Sequence, residues 1–315
     1  MPSNAELATE QVALCAHLKR MNVLRVRGRF RWTPFFGVPR QMKRRKGFTL
    51  IELLVVIAII ALLMSIMMPA LSRVKKQARK VACTAQLKQW ALIWKLYCDD
   101  NNGYWLSGGG SGSGVWWIQP MMELYRVERD IRCCPQATKA NTSNKIGSWA
   151  YQAWEVPGTS QYTRDGSNYI GSYGPNGWMC NPPSTGSASV WGRSPASDHW
   201  RTPNARGAAN IPLFQGQWWV DAWPRDTDQP PTIVDTPGGA IPDRPNVNEM
   251  ERVCVDRHDG FVNNVFCDFS ARPVGLKELW TLKWHKSYDV RGPWTRAGGV
   301  VPSDWPVWMR KYKDY

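Results

Sequence analysis

From Leu53 to Leu71 the chain runs nineteen residues without a charge, LLVVIAIIALLMSIMMPAL. With Leu50 and Ile51 it reaches the roughly 20 apolar residues that an α-helix needs to cross the hydrocarbon core of a bilayer. A segment of this kind constrains the fold more than any other stretch, and the expectation is one membrane-spanning helix. A cleaved secretory signal also sets an apolar stretch behind a basic start. Its apolar part, however, is only about 7 to 15 residues long and ends at a small-residue cleavage site. Here the run is longer, and Pro69 is followed by further helical sequence.

Charge distribution supports the same reading. The 315 residues carry 40 Lys and Arg against 25 Asp and Glu, a net +15 that by itself suggests a nucleic-acid partner. Eleven of those basic residues lie within residues 1–47, beside only Glu6 and Glu10, directly ahead of the apolar run. There they act as a topology signal holding the preceding side in the cytoplasm. No nucleic-acid partner is expected. Beyond the membrane segment, Val74, Ala78, Val81, Ala85, Leu92 and Leu96 recur at helical spacing, with Arg73, Lys75, Lys76, Arg79, Lys80 and Lys88 elsewhere. The helix is therefore expected to leave the membrane and become amphipathic.

One carboxylate, Glu52, interrupts the start of the apolar run. At a bilayer centre an ionised side chain costs about 2.5 to 3.5 kcal/mol on insertion scales, less toward the interface, so its presence needs a cause. One cause is local: Thr49-Leu50-Ile51-Glu52 has the spacing of a capping box, in which two side chains satisfy the orphan N–H groups of a helix start.

The stretch Lys46-Gly47-Phe48-Thr49-Leu50-Ile51-Glu52-Leu53 resembles the cleavage and methylation site of type IV prepilins and type II secretion pseudopilins. The resemblance implies a cut between Gly47 and Phe48 by a membrane aspartyl prepilin peptidase, and methylation of the new amino terminus on Phe48. It gives Glu52 a second role, pairing with the N-terminal amine of a neighbouring subunit during assembly, in keeping with the demand of a buried carboxylate for a cation. The implied partners are the peptidase, other pilin-like subunits through the helix, an inner-membrane assembly platform and the lipid bilayer. The implied location is a single-pass inner-membrane protein whose head lies in the periplasm or at the cell surface. Residues 1–47 are long for such a leader. Starting at Met42 gives the short leader Met-Lys-Arg-Arg-Lys-Gly, so residues 1–41 are read as an extension from a misassigned start.

The helix, residues 48–97, is expected to end near Tyr97, because Asp99-Asp100-Asn101-Asn102-Gly103 clusters turn formers. These oxygen-bearing residues also suit calcium, but they lack the spacing and closing Glu of an EF-hand, and helix termination is the better reading. A Gly/Ser-rich linker follows in the span 98–115, and then a head, 116–315, holding most of the chain's 26 Gly, 23 Pro and 19 Trp. That composition predicts loop-rich antiparallel β structure packed through aromatic rings. The fold class expected is α+β, a long N-terminal helix packed on this β head. Short strands are read at Val253–Val255, Val262–Cys267 and Ala271–Val274, with Asp259-Gly260 and Asp268-Phe269 between them.

Seven cysteines follow the leader: Cys83, Cys98, Cys133, Cys134, Cys180, Cys254 and Cys267. An odd count leaves at least one unpaired or intermolecular, and an oxidising exported compartment favours one or more disulfides. Without a C-x-x-C pair, and with His199, His258 and His285 scattered, neither a metal nor a cofactor is expected.

The segments Cys83-Thr84-Ala85-Gln86-Leu87-Lys88-Gln89, Tyr97 to Gly103 and Arg132-Cys133-Cys134-Pro135 are similar to bacterial pseudopilin-like proteins with a domain named for a His-x9-Asp-Gly motif. That resemblance implies a disulfide between Cys83 on the helix and Cys134 in the Cys-Pro element. By loop entropy such a bridge contributes roughly 3 to 4 kcal/mol. Cys133 competes for the same partner. His258 and Asp268, nine residues apart, supply the motif, with Phe269 where Gly is expected. Glycine accepts positive φ cheaply, so this hairpin is expected to use another turn geometry, with His258 and Asp268 hydrogen-bonding the hairpin.

No Gly-x-Ser-x-Gly, His-Glu-x-x-His or Gly-x4-Gly-Lys-Ser/Thr motif is present, so the expectation is a structural subunit and not an enzyme. The second reading is a membrane-anchored glycan-binding module, whose Trp116-Trp117 and Trp218-Trp219 stack on sugars. Core packing is the more ordinary use of such rings.

Overall fold

The computed structural model describes residues 48–108, 117–127, 129–137, 147, 150–158, 166–182, 193, 195–232 and 248–315. Residues 1–47, with Met42 and Gly47, lie outside the described residues, as do most of the glycine-serine stretch and Trp116. The chain divides into two compact units, Met1–Ile60 and Ala61–Tyr315.

Helix α1 (Leu50–Asp100) is continuous for 51 residues, with Pro69 inside it. Its first part is long and apolar enough to cross a membrane. Every residue from Phe48 to Arg79 is exposed. The C-terminal end runs three residues past the expected Tyr97. Asn102 and Gly103 then turn left-handed (φ 55° and 79°), and Gly103 N donates to Cys98 O at 2.7 Å. The turn formers thus stop the helix as expected, by satisfying its last carbonyls from beyond the end.

Within the second unit, α1 turns Cys83, Leu87, Trp90, Ala91, Trp94, Tyr97 and Cys98 into the core. Val74, Val81, Leu92 and Leu96, together with Ala78 and Ala85, face outward. The reason is area: Trp90 and Trp94 offer far more apolar surface than Val or Ala, and burial is favoured roughly in proportion to that surface.

Two further short helices follow, α2 (Ile118–Tyr125) and α3 (Arg129–Arg132). Strands β1 (Trp154–Val156) and β2 (Tyr169–Gly171) form an antiparallel pair. The main sheet contains β3 (Tyr173–Pro175), β4 (Pro212–Gly216), β5 (Phe261–Phe266) and β6 (Ala271–Gly275) in sequence order, all antiparallel. The alternation of β5 divides the interior. Val265 joins α1, Trp117, Ile118 and Phe214 on one side. Val262 and Phe266 join Trp178, Trp280, Trp284 and Trp305 on the other. The described tryptophans thus largely serve packing; Trp90 meets Phe214 at 4.6 Å and Trp117 at 5.6 Å between ring centroids.

Two local readings need correction. Val253–Val255 is not a strand: Val253 ends helix α4 (Met250–Val253), and Val255 lies in the following loop. The apolar side chains there are buried by a helical turn and loop, a distinction that three residues of sequence do not carry. The β5–β6 turn does keep left-handed geometry, with Phe269 at φ 62°. Phe269 N donates to Phe266 O at 2.8 Å, and Asp268 Oδ1 accepts from Ser270 N and Oγ at 3.0 and 2.6 Å. These bonds, with the Trp105 ring 6.4 Å away, hold a conformation that glycine would take more cheaply.

Candidate functional site

At the start of α1 the capping box is formed. Thr49 N donates to Glu52 Oε2 at 2.8 Å, Thr49 Oγ1 donates to the same oxygen at 2.9 Å, and Glu52 N donates to Thr49 Oγ1 at 3.2 Å. Phe48 is exposed immediately before it. The carboxylate therefore sits at the helix N-terminus, where the macrodipole favours negative charge.

The second constellation is in the head. Cys83 comes from α1, Cys134 from the turn after α3, and His258 from the loop between α4 and β5. All three are buried, and their Sγ and Nε2 atoms lie within 4.8 Å of one another. Cys134 Sγ is 3.4 Å from His258 Nε2. All seven described cysteines are free thiols, so the structure brings Cys83 and Cys134 together without a bond between them. Around them, the Tyr173 hydroxyl donates toward Cys83 Sγ at 3.1 Å and lies 2.7 Å from Gln86 Oε1. Gln136 N donates to Cys134 Sγ at 3.5 Å, and Cys134 N donates to Ser172 Oγ at 2.6 Å.

Arg257 completes the surroundings. It is buried and donates to the carbonyls of Ala150, Ser172 (2.8 Å) and Gln217 (2.9 Å). Among the described residues no carboxylate forms an ion pair with it. The hydrogen bond from Cys83, helped by His258 and Arg257, holds the Cys134 thiol well below its usual range. Burial, and next the bond with Cys134, pushes Cys83 well above it. Of the two thiols, Cys134, which lies beside the Arg257 guanidinium, is the one favoured to ionise.

His258 and Asp268 do not pair. They lie at opposite ends of β5, His258 against Cys134 and Asp268 against Ser270. The convergence of His258 with the two cysteines escapes sequence reasoning, because 124 residues separate Cys134 from His258. So does the part of Tyr173, which no motif marks.

A third feature is the outer stripe of α1. Beyond the long apolar segment Val74, Val81, Leu92 and Leu96 remain 52 to 63% exposed while the opposite face of the helix is built into the head.

Residues 42–68 match the family model described as the prokaryotic N-terminal methylation motif. The chain is also 46% identical, over 63 residues, to the type IV wide pilus major component PilA4 of Thermus thermophilus. That alignment covers 20% of this chain and 48% of the relative, so the chain spans about half the length of the curated relative it matches. No solved structure matches significantly. In its N-terminal segment the chain is type IV pilin-like, with a methylation motif opening an apolar helix.

Proposed function

We propose that this type IV pilin-like chain is a structural subunit, cut after Gly47 by prepilin peptidase and methylated on Phe48. In this reading the apolar part of α1 anchors it as a single pass in the inner membrane, with the head exported to the periplasm or cell surface. Subunits then assemble through α1, at an inner-membrane platform, into a secretion pseudopilus or a type IV pilus-like filament. Glu52 meets the N-terminal amine of a neighbouring Phe48 during assembly, since a carboxylate entering an apolar bundle is stabilised only by a cation. The similarity to a major component of a type IV wide pilus supports filament formation.

The observation that carries the proposal is the two-sided helix. Its large aromatic side chains face the head, and its Val, Ala and Leu stripe stays exposed in continuity with the membrane segment. A stripe of that kind on a helix is suited to packing against other helices. Replacing Val81 and Leu92 together by Glu tests this. The variant is expected to melt as the parent does, because both positions are exposed, and to be absent from filaments sheared from cells. Undiminished recovery in the filament fraction would refute assembly through this face.

A further inference from the structure

We propose that Cys83, Cys134 and His258 form a binding site for a single thiophilic metal ion, with monovalent copper the best match. The site lies within Ala61–Tyr315 and is independent of the assembly reading.

Three donors from three separate chain segments converge within 4.8 Å, all buried. Two thiolates and an imidazole form a donor set that soft ions favour over hard, oxygen-seeking ones. Spacing fits as well. With metal–sulfur and metal–nitrogen bonds of about 2.3 and 2.0 Å, sulfur and nitrogen stand about 3.5 Å apart at a tetrahedral angle and about 3.7 Å at a trigonal one. Cys134 Sγ and His258 Nε2 are separated by 3.4 Å. The donors are held from behind: Tyr173 hydrogen-bonds Cys83 Sγ, Gln136 N–H points at Cys134 Sγ, and Ser172 fixes the Cys134 backbone. Such outer contacts orient metal ligands.

Charge selects among soft ions. Among the described residues Arg257 is a buried guanidinium bonded to carbonyl oxygens and to no carboxylate, and a buried cation demands a compensating anion. Two thiolates with Arg257 leave one negative charge, which a monovalent ion cancels. A divalent ion would leave a net positive charge in a site with no carboxylate ligand among the described residues. On binding, any proton still held by the two thiols departs to solvent and both sulfurs coordinate as thiolates.

The test uses the full chain in detergent, reduced and kept from oxygen, and titrated with copper(I) against a coloured copper(I) chelator. The chain is expected to withdraw one ion. Cys134→Ser and Cys83→Ser should withdraw none, and Cys133→Ser should still withdraw one. Because a serine variant can fail by misfolding, X-ray absorption at the copper edge of the unmutated chain gives a second reading, with two sulfur and one nitrogen neighbours expected. Failure of the chain to withdraw copper, undiminished withdrawal by Cys134→Ser, or a first shell without both sulfurs would overturn the site. So would peptide mapping of chains alkylated at lysis that finds Cys83 disulfide-bonded to Cys134.

Discussion

Replacing Trp90 by alanine asks whether the second half of α1 is part of the head's core or merely lies against it. Trp90 is completely buried. Its ring meets Phe214 and Trp117, and its Nε1 donates to the Ile131 carbonyl at 2.7 Å. Truncating a buried Trp costs about 3–5 kcal/mol, and leaving the Ile131 carbonyl without its partner adds about 1 kcal/mol. For a unit the size of Ala61–Tyr315, a loss of about 4–6 kcal/mol lowers the melting temperature by about 10–20 °C. Near-ultraviolet circular dichroism during thermal melting of the full chain in detergent measures it. Leu92→Ala, on the outer face of the same helix and 63% exposed, should change stability by no more than about 0.5 kcal/mol. Equal effects from the two substitutions would refute the assignment of faces.

Two other outcomes follow from the head. Burial raises the Asp228 carboxyl from its ordinary 3.8 to about 6, so the folded chain holds this proton more tightly than the unfolded chain does. Its contribution to stability therefore falls as pH rises from about 4 to about 6, by up to about 3 kcal/mol. Asp228→Asn keeps an oxygen for the Arg225 and Met250 N–H donors. It should lose that slope in denaturant titrations across this range and be the more stable form at pH 7; an unchanged slope would sink the argument. Phe269→Gly relieves a left-handed residue, a gain of about 1–2 kcal/mol, but loses a half-buried ring beside Trp105 and adds backbone entropy to the unfolded chain. Chemical denaturation should find a net change under about 1 kcal/mol, and a loss above about 2 kcal/mol would contradict the assigned strain.

What the sequence makes legible is governed by how local each cause is. The apolar run and the Thr49–Glu52 cap depend on residues at fixed short spacing, and both read directly; the cap is formed as the spacing requires. Strands β5 and β6 also read, because their β-branched residues Val262, Val265 and Val274 and the turn formers that bound them are all local. The buried face of α1 is not marked by periodicity, since two stripes share the helical period and only side-chain size separates them. Area favours Trp90 and Trp94 over Val81 and Leu92. Phe269 misleads because tertiary contacts hold a φ that local preference disfavours. The Cys83–Cys134–His258 cluster was legible only in part. The cysteine pair follows from resemblance, while the arrival of His258 and the buried Arg257 depends on how the loop between α4 and β5, distant in sequence, is brought against the helix.

The central claim is that the chain is processed as a pilin-like subunit, and the mass of its mature N-terminus tests this most directly. Chains recovered from membranes and sequenced by mass spectrometry are predicted to begin at Phe48 with a methylated amine. An intact leader through Gly47, or a cut after Pro69, would contradict the account.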